Sequence, residues 1–227
     1  GKVEITCCDD WVADLLVRGF APFCAEHPDI QLGMTTDSRS YDLARREADV
    51  AVRILARGAT PPENLIATRL GPLVVCNYVA RTHAQRLDPE RPGTTPRWLS
   101  SDAGKVEQHL IGGSSYPDPP MWGAFRSLGL MVQAARAGLG LVMLPTYVGD
   151  CEPALRRLTK PDLRHVADLW LLSHPDLRTN ARCKATRVRI AEIFGEAQPL
   201  LRGDGWCTDG PTGPGIAPGA SGPTTVG

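Results

Sequence analysis

The chain opens on KVEITCC (residues 2–8), a short β-prone run, and Asp9 and Asp10 follow as oxygens able to cap a helix. Val12, Leu15, Leu16, Gly19 and Phe23 then recur at helical spacing and predict one face to bury. Pro22 should bend this helix, and Pro28 ends it in the turn HPD. Residues 30–36 (IQLGMTT) read as a second strand, residues 40–47 as a short helix and residues 49–54 (DVAVRI) as a third strand. Strand, helix, strand, helix, strand is the order of a parallel sheet covered on both faces.

A second unit follows. Residues 70–77 (LGPLVVCN) read as a strand, 78–86 as a helix and 88–96 as a polar, Pro-rich stretch. Weaker strand signals lie at 109–113 and 121–126, on either side of the turn-rich SSYPDPP. The helix after Ser127 is better marked, because Leu128, Met131, Val132 and Ala135 stand at i, i+3, i+4 and i+7 and Gly138 can cap its end. Residues 140–144 predict a buried strand stopped by Pro145, 168–173 (DLWLLS) another strand, and 180–198 a long terminal helix. There is no internal repeat.

Composition changes this picture at three points. The 25 Lys and Arg balance 25 Asp and Glu, which removes global electrostatic attraction to nucleic acid or an anionic membrane as an account of function. Of 43 Gly and Pro residues, 12 fall in positions 203–227, so that tail is expected to be disordered and the fold is sought in residues 1–202. Seven cysteines (Cys7, Cys8, Cys24, Cys76, Cys151, Cys183, Cys207) form no C-x-x-C pair and no zinc spacing, and are read as reduced thiols of a cytoplasmic protein. The start carries no signal-peptide pattern and no apolar run approaches membrane-spanning length; a chain beginning straight in a strand is read as a fragment.

Four stretches together resemble the effector-binding domain of LysR-type transcriptional regulators. They are the first helix ending in F-x-x-x-H-P (Phe23 to Pro28), DLARREADVAVRI (residues 42–54), SLGLMVQAARAGLGLVMLP (residues 127–145) and LWLLSHPDLRTNARCKA (residues 169–185). The resemblance implies an α/β fold of two Rossmann-like lobes with a ligand cleft between them, similar to type 2 periplasmic binding proteins. Lobe I would comprise residues 1–70 and 167–202, and lobe II residues 71–166. It further implies a sensor that binds a small-molecule effector, forms a homodimer or tetramer, and reaches DNA only through an N-terminal winged helix-turn-helix absent from this chain. No cofactor, metal, membrane or catalytic activity is implied. Faces of the helices at 40–47 and 78–86 are candidates for the dimer contact.

Free N–H groups and positive helix ends gather where strands end and helices begin, and ligands favour the carboxyl ends of parallel strands. Those positions are Cys8, Asp9 and Asp10; Thr36, Asp37 and Ser38; Arg53; and, in the second unit, Cys76 and Asn77, with Arg126 and Ser127. Plain N-capping competes with a ligand role at Asp9, Asp10 and Ser127. At Arg53 a salt bridge competes with a bidentate clamp on an acidic ligand. Many members of the family hold an effector carboxylate with Ser or Thr at the first helix start, whereas this chain has Asp9 and Asp10 there. An effector that is not a simple carboxylate, or that offers an amine or hydroxyl, is therefore expected. Thr36 is the leading candidate, a small hydroxyl at a strand end that the family uses for effector contacts. Cys8 as a redox thiolate competes with a small apolar residue at a strand end, and the adjacent carboxylates oppose ionisation.

His27, His83, His109, His165 and His174 are scattered without metal-ligand spacing. GLG at 138–140 follows a helix rather than a strand and is read as a C-cap. Neither G-x-S-x-G nor a P-loop is present. A transporter's solute-binding protein shares the fold and stands as the alternative function; an enzyme on the same scaffold lacks a nucleophile and base.

Overall fold

Strand β1 (Lys2–Cys7) buries Val3, Ile5 and Cys7, and the chain turns at Asp9 into helix α1 (Asp10–Glu26). The Asp9 carboxylate accepts from the Val12 N–H at 2.8 Å, which satisfies one of the helix's orphan donors. Val12, Leu16, Phe20 and Phe23 form the buried stripe of α1, and Pro22 lies within it. The structure is a computed structural model that describes residues 1–37 and 48–204; the helix expected at 40–47 lies outside the described residues. Strands β2 (Gln31–Thr36) and β3 (Val50–Ala56) both run parallel to β1.

The sheet does not continue in parallel. Strand β4 (Ile66–Ala80) and strand β9 (Arg164–Ser173) pair antiparallel with each other, and β9 pairs antiparallel with β3. Seven strands result in the path β2-β1-β3-β9-β4-β7, with β7 (Val142–Pro145) and β8 (Leu155–Arg157) both on the far half of β4. The parallel order expected for the first three strands is observed, and the remaining pairings of the main sheet are antiparallel. The register of β4 on β9 shifts between Arg69 and Gly71 and again between Leu73 and Val74. A small parallel pair, β5 (Trp98–Leu99) with β6 (Met121–Trp122), stands apart, bridged to Leu141 through Trp98.

Two elements differ from the expectation. The helix expected at 78–86 begins late: Tyr78, Val79 and Ala80 are fully buried and pair with β8, so they extend β4. A 3-10 turn (Arg81–His83) and the one-turn helix α2 (Ala84–Leu87) follow. Residues 109–113, read as a strand, belong mostly to helix α3 (Lys105–Gly112), which buries only Ile111 and is tied down by Glu107, acceptor from Ser100 and from the Ser101 N–H. Helix α4 (Leu128–Arg136) starts at its Ser127 cap and ends in the left-handed Gly138, φ 70°, with the His83 ring where a Cβ would stand.

Pro145 ends β7, and the single turn α5 (Thr146–Gly149) follows. The terminal helix α6 (Ala181–Glu196) is capped by Asn180 and buries Cys183, Thr186, Ile190, Ile193 and Phe194 beside α1 and the sheet. A last turn, α7 (Gln198–Arg202), is closed by Gly203. Gly203, which the expected disordered tail includes, is buried and its carbonyl accepts from Arg157; positions 205–227 lie outside the described residues. The expectation of reduced thiols throughout is corrected at Cys151, which is disulfide-bonded, while Cys7, Cys8, Cys24, Cys76 and Cys183 are free.

Asp88 closes the far end of the sheet. Fully buried, it accepts from Arg156 at 2.5 Å, from Thr159 at 2.8 Å and from the Glu90 N–H. Burial alone would raise its pKa, but these donors outweigh it and hold the carboxyl below its ordinary value of 3.8. A depressed folded-state pKa contributes stability above the ordinary value and loses it as pH falls through the folded one. Urea midpoints are therefore expected to be level from neutrality down to the carboxylate range and to fall below it. Asp88→Asn should flatten that acid limb, and an unchanged limb would count against the assignment.

Candidate functional site

The carboxyl ends of β1 and β2 lie side by side, and β3 runs on past the end of β1. Cys7 is in register with Thr36, the Asp37 N–H donates to the Cys7 carbonyl at 3.0 Å, and Arg53 reaches from β3 to the end of β1. Its guanidinium donates to the Thr6 carbonyl at 3.1 Å and to the Thr6 hydroxyl at 2.9 Å, so a fixed cation stands beside the end of β1. Thr36 is exposed, Asp37 half-buried.

At the start of α1 the three expected residues separate. Asp9 is half-buried: one oxygen caps Val12 and the other accepts from the Tyr147 hydroxyl of α5 at 2.7 Å. The positive end of α1 is thereby occupied by the chain's own carboxylate. Asp10 faces solvent. Cys8 lies beneath the turn, its thiol 3.5 Å from Asp9, and burial, followed by the Asp9 charge, pushes its pKa far above the ordinary value. Cys7 is likewise pushed up to about 12, by burial first and Asp9 second, with Arg53 working the other way. Both thiols stay protonated near neutrality, which is the wrong state for a thiolate sensor.

The second unit holds a separate group. Ser127 caps α4 by accepting from the Leu130 N–H at 3.2 Å. Arg126 is exposed and paired at 2.8 Å with Asp102, whose φ of 65° is the one left-handed value among described non-glycine residues. Close by, the Arg97 guanidinium sits 3.6 Å over the Trp122 ring. Cys76 and Asn77 lie inside β4, and the Asn77 amide is used up on Lys160 and Asp162.

Along the pairing of β4 with β9, Asp168 accepts from Arg69 at 2.6 and 3.1 Å and lies 2.9 Å from His165. Burial raises the Asp168 pKa, but these two partners carry it below its usual value. Arg53, Trp170 and Arg69 are in direct register across β3, β9 and β4, so the two arginines flank the indole on one face of the sheet. Thr6, Tyr147, Asp168 and Arg69 were not singled out from the sequence. Thr6 had a signal, a hydroxyl between the apolar Ile5 and Cys7 at the end of β1; the others show no local one. Among the described residues no group of three His, Cys, Asp or Glu could hold a metal ion, and no helix is long and apolar enough to cross a membrane.

A family model, the LysR substrate binding domain, matches residues 1–192. An HTH-type transcriptional regulator of Xanthomonas campestris pv. campestris (strain 8004) is 37% identical over 76 residues, 34% of this chain and a fifth (20%) of that regulator's length. Among solved structures, the effector domain of the transcriptional regulator AmpR of Pseudomonas aeruginosa superposes with a TM-score of 0.65 at 18% identity, over 86% of this chain and 96% of that one. The regulatory domain of CrgA, a LysR-type transcriptional regulator from Neisseria meningitidis, gives 0.65 at 18%, over 86% and 98%. The reduced regulatory domain of OxyR2 from Vibrio vulnificus gives 0.60 at 18%, over 88% and 96%. At these identities the likeness concerns the fold, which is that of LysR effector domains and is type 2 periplasmic-binding-protein-like. With most of its length matched by the family model, the chain belongs to the LysR substrate-binding domain family, the sensor module of LysR-type transcriptional regulators.

Proposed function

We propose that the chain binds a small-molecule effector in a cleft between two lobes, residues 1–70 with 167–202 and residues 71–166, and passes that binding to a DNA-binding domain of the same regulator. Closure around the effector would shift the population of lobe arrangements, an equilibrium that a ligand moves only by its differential affinity for the two states. The chemistry is binding alone. The observation that carries this reading is the placement of Thr36 and Asp37 against Cys7, and of Arg53 on Thr6, around the carboxyl end of β1. Thr36 and Asp10 offer the effector an exposed hydroxyl and an exposed carboxylate, while Arg126 with Ser127 would face it from the second lobe. With Asp9 already filling the positive end of α1, an effector with an amine or hydroxyl suits the first lobe better than a plain carboxylate. The regulator would work in the cytoplasm as a homodimer or tetramer, and a transporter's solute-binding role is not favoured by the family match.

The test is a thermal-shift screen of this chain against amines, amino sugars, hydroxy acids and dicarboxylates. A ligand at about a hundred times its Kd stabilises the folded state by about 2.7 kcal/mol and raises Tm accordingly. Thr36→Val should leave the unliganded Tm within about a degree, since the side chain is exposed, and should weaken the hit about tenfold, the worth of one lost hydrogen bond. A hit that binds Thr36→Val and Arg53→Lys as well as the parent would place the ligand elsewhere and sink the assignment.

A further inference from the structure

The first part of β4 lies at a margin of the sheet. Positions 66–69 pair with β9 on one side, and among the described residues no strand or backbone group pairs with the other. The free edge stops at Arg69, because the next carbonyl, that of Leu70, already accepts from the Gln198 side chain at 2.7 Å. An unpaired edge of this kind is usually blunted by a bulge, a proline or inward charge, and is otherwise a template for an added strand.

Beside that edge, between β4 and α6, runs a groove of about 600 Å³. Ile66, Leu171 and the half-exposed Val188 give it an apolar floor, and Arg178, Lys184 and Arg187 stand around it. The lining carries no carboxylate, and among the described residues none of these three cations has an ion pair or side-chain hydrogen bond. In a chain whose net charge is zero, three cations without an ion pair around one apolar groove are a local concentration of positive field.

We propose that this groove docks an extended acidic segment of a partner protein, added as a strand to the free edge of β4. The edge would supply main-chain hydrogen bonds, the apolar floor would take alternate side chains, and Arg178, Lys184 and Arg187 would pair with interspersed carboxylates. The site lies on the margin of the sheet opposite β2 and uses none of the residues assigned to the effector.

A fluorescein-labelled peptide of about ten residues, alternating glutamate and valine, tests this by fluorescence anisotropy against the whole chain. Saturable binding is expected, weakened by added salt and weakened about tenfold by the double variant Lys184→Glu, Arg187→Glu. The same peptide N-methylated at alternate residues should not bind, because it cannot pair with an edge. Circular dichroism melting checks that the variant is folded, and Lys184→Ala, Arg187→Ala serves if the charge reversal unfolds it. Equal binding of a lysine-valine peptide, undiminished binding of the N-methylated one, or no response to either variant overturns the proposal. So does peptide binding that is absent while the variants change the sedimentation coefficient, since the groove would then be a contact between two copies of this chain.

Discussion

Asp150→Ala is expected to lower the unfolding free energy by about 2 to 4 kcal/mol, the cost of leaving the buried Tyr78 hydroxyl and the partly buried Arg157 guanidinium without their shared acceptor. Asp150 accepts from the Tyr78 hydroxyl at 2.9 Å and receives a two-point contact from Arg157, at 2.9 and 2.6 Å. Its own side chain is 7% exposed and that of Arg157 is 28% exposed. Arg157 in turn donates to the Gly203 carbonyl, so one carboxylate joins β4, α5, β8 and the cap of α7. The hydrogen bonds to Asp150 raise the Arg157 pKa, and burial raises that of Tyr78; both remain protonated, and both lose their acceptor together. Urea denaturation of Asp150→Ala and Asp150→Asn checks this. Asn keeps an acceptor and should cost less than Ala, and a loss below about 1 kcal/mol for Ala would mean that water replaces the carboxylate without penalty.

Asp9→Ala should cost about 2 to 4 kcal/mol, because two separate losses combine. The cap of α1 accounts for about 1 kcal/mol, and a buried Tyr147 hydroxyl left without an acceptor accounts for about 1 to 3 more. Tyr147→Phe removes the second loss alone. A double-mutant cycle between the two should therefore give a coupling on the order of 1 kcal/mol, whereas additivity would show that the 2.7 Å contact does not contribute in solution. Asp9→Ser is the informative companion: it keeps a capping oxygen for Val12 while removing the charge from the positive end of α1. If the effector carries a carboxylate after all, this variant should bind it more tightly than the parent does.

The first three strands and α1 were legible because each repeats its pattern within one short stretch: alternation through KVEIT, helical spacing through Val12, Leu16 and Phe23, an Asp cap at the right place. Ser127 and the α4 stripe were legible for the same reason. The full length of β4 was not. Tyr78, Val79 and Ala80 run directly into RTHAQRL, whose composition favours helix, and only pairing with β8 decides in favour of strand. Helix α3 was misread because it buries a single residue, which leaves little periodicity to see. At the candidate site the residue types and strand ends could be placed, but not the partners. Asp9 and Tyr147 are 138 positions apart, and Arg53 finds Thr6 only through the pairing of β1 with β3. Whether a carboxylate serves the fold or a ligand depends on such distant contacts, and a local pattern is silent about them.

The route of the chain through its main sheet also has a temporal side. Strand β9 sits between β3 and β4, and its residues pair with positions about 90 to 125 earlier, such as Val50 with Ser173. During synthesis, β1, β2 and β3 leave the ribosome long before the strand that completes their sheet, and α6, which covers it, follows later still. At about 5 to 20 residues per second, that interval lasts some seconds, during which Val50 and Val52 lie along an unfinished margin. The nascent chain is therefore a client for whatever shields apolar strands in the cell, and a stop codon placed before position 164 would leave it one permanently.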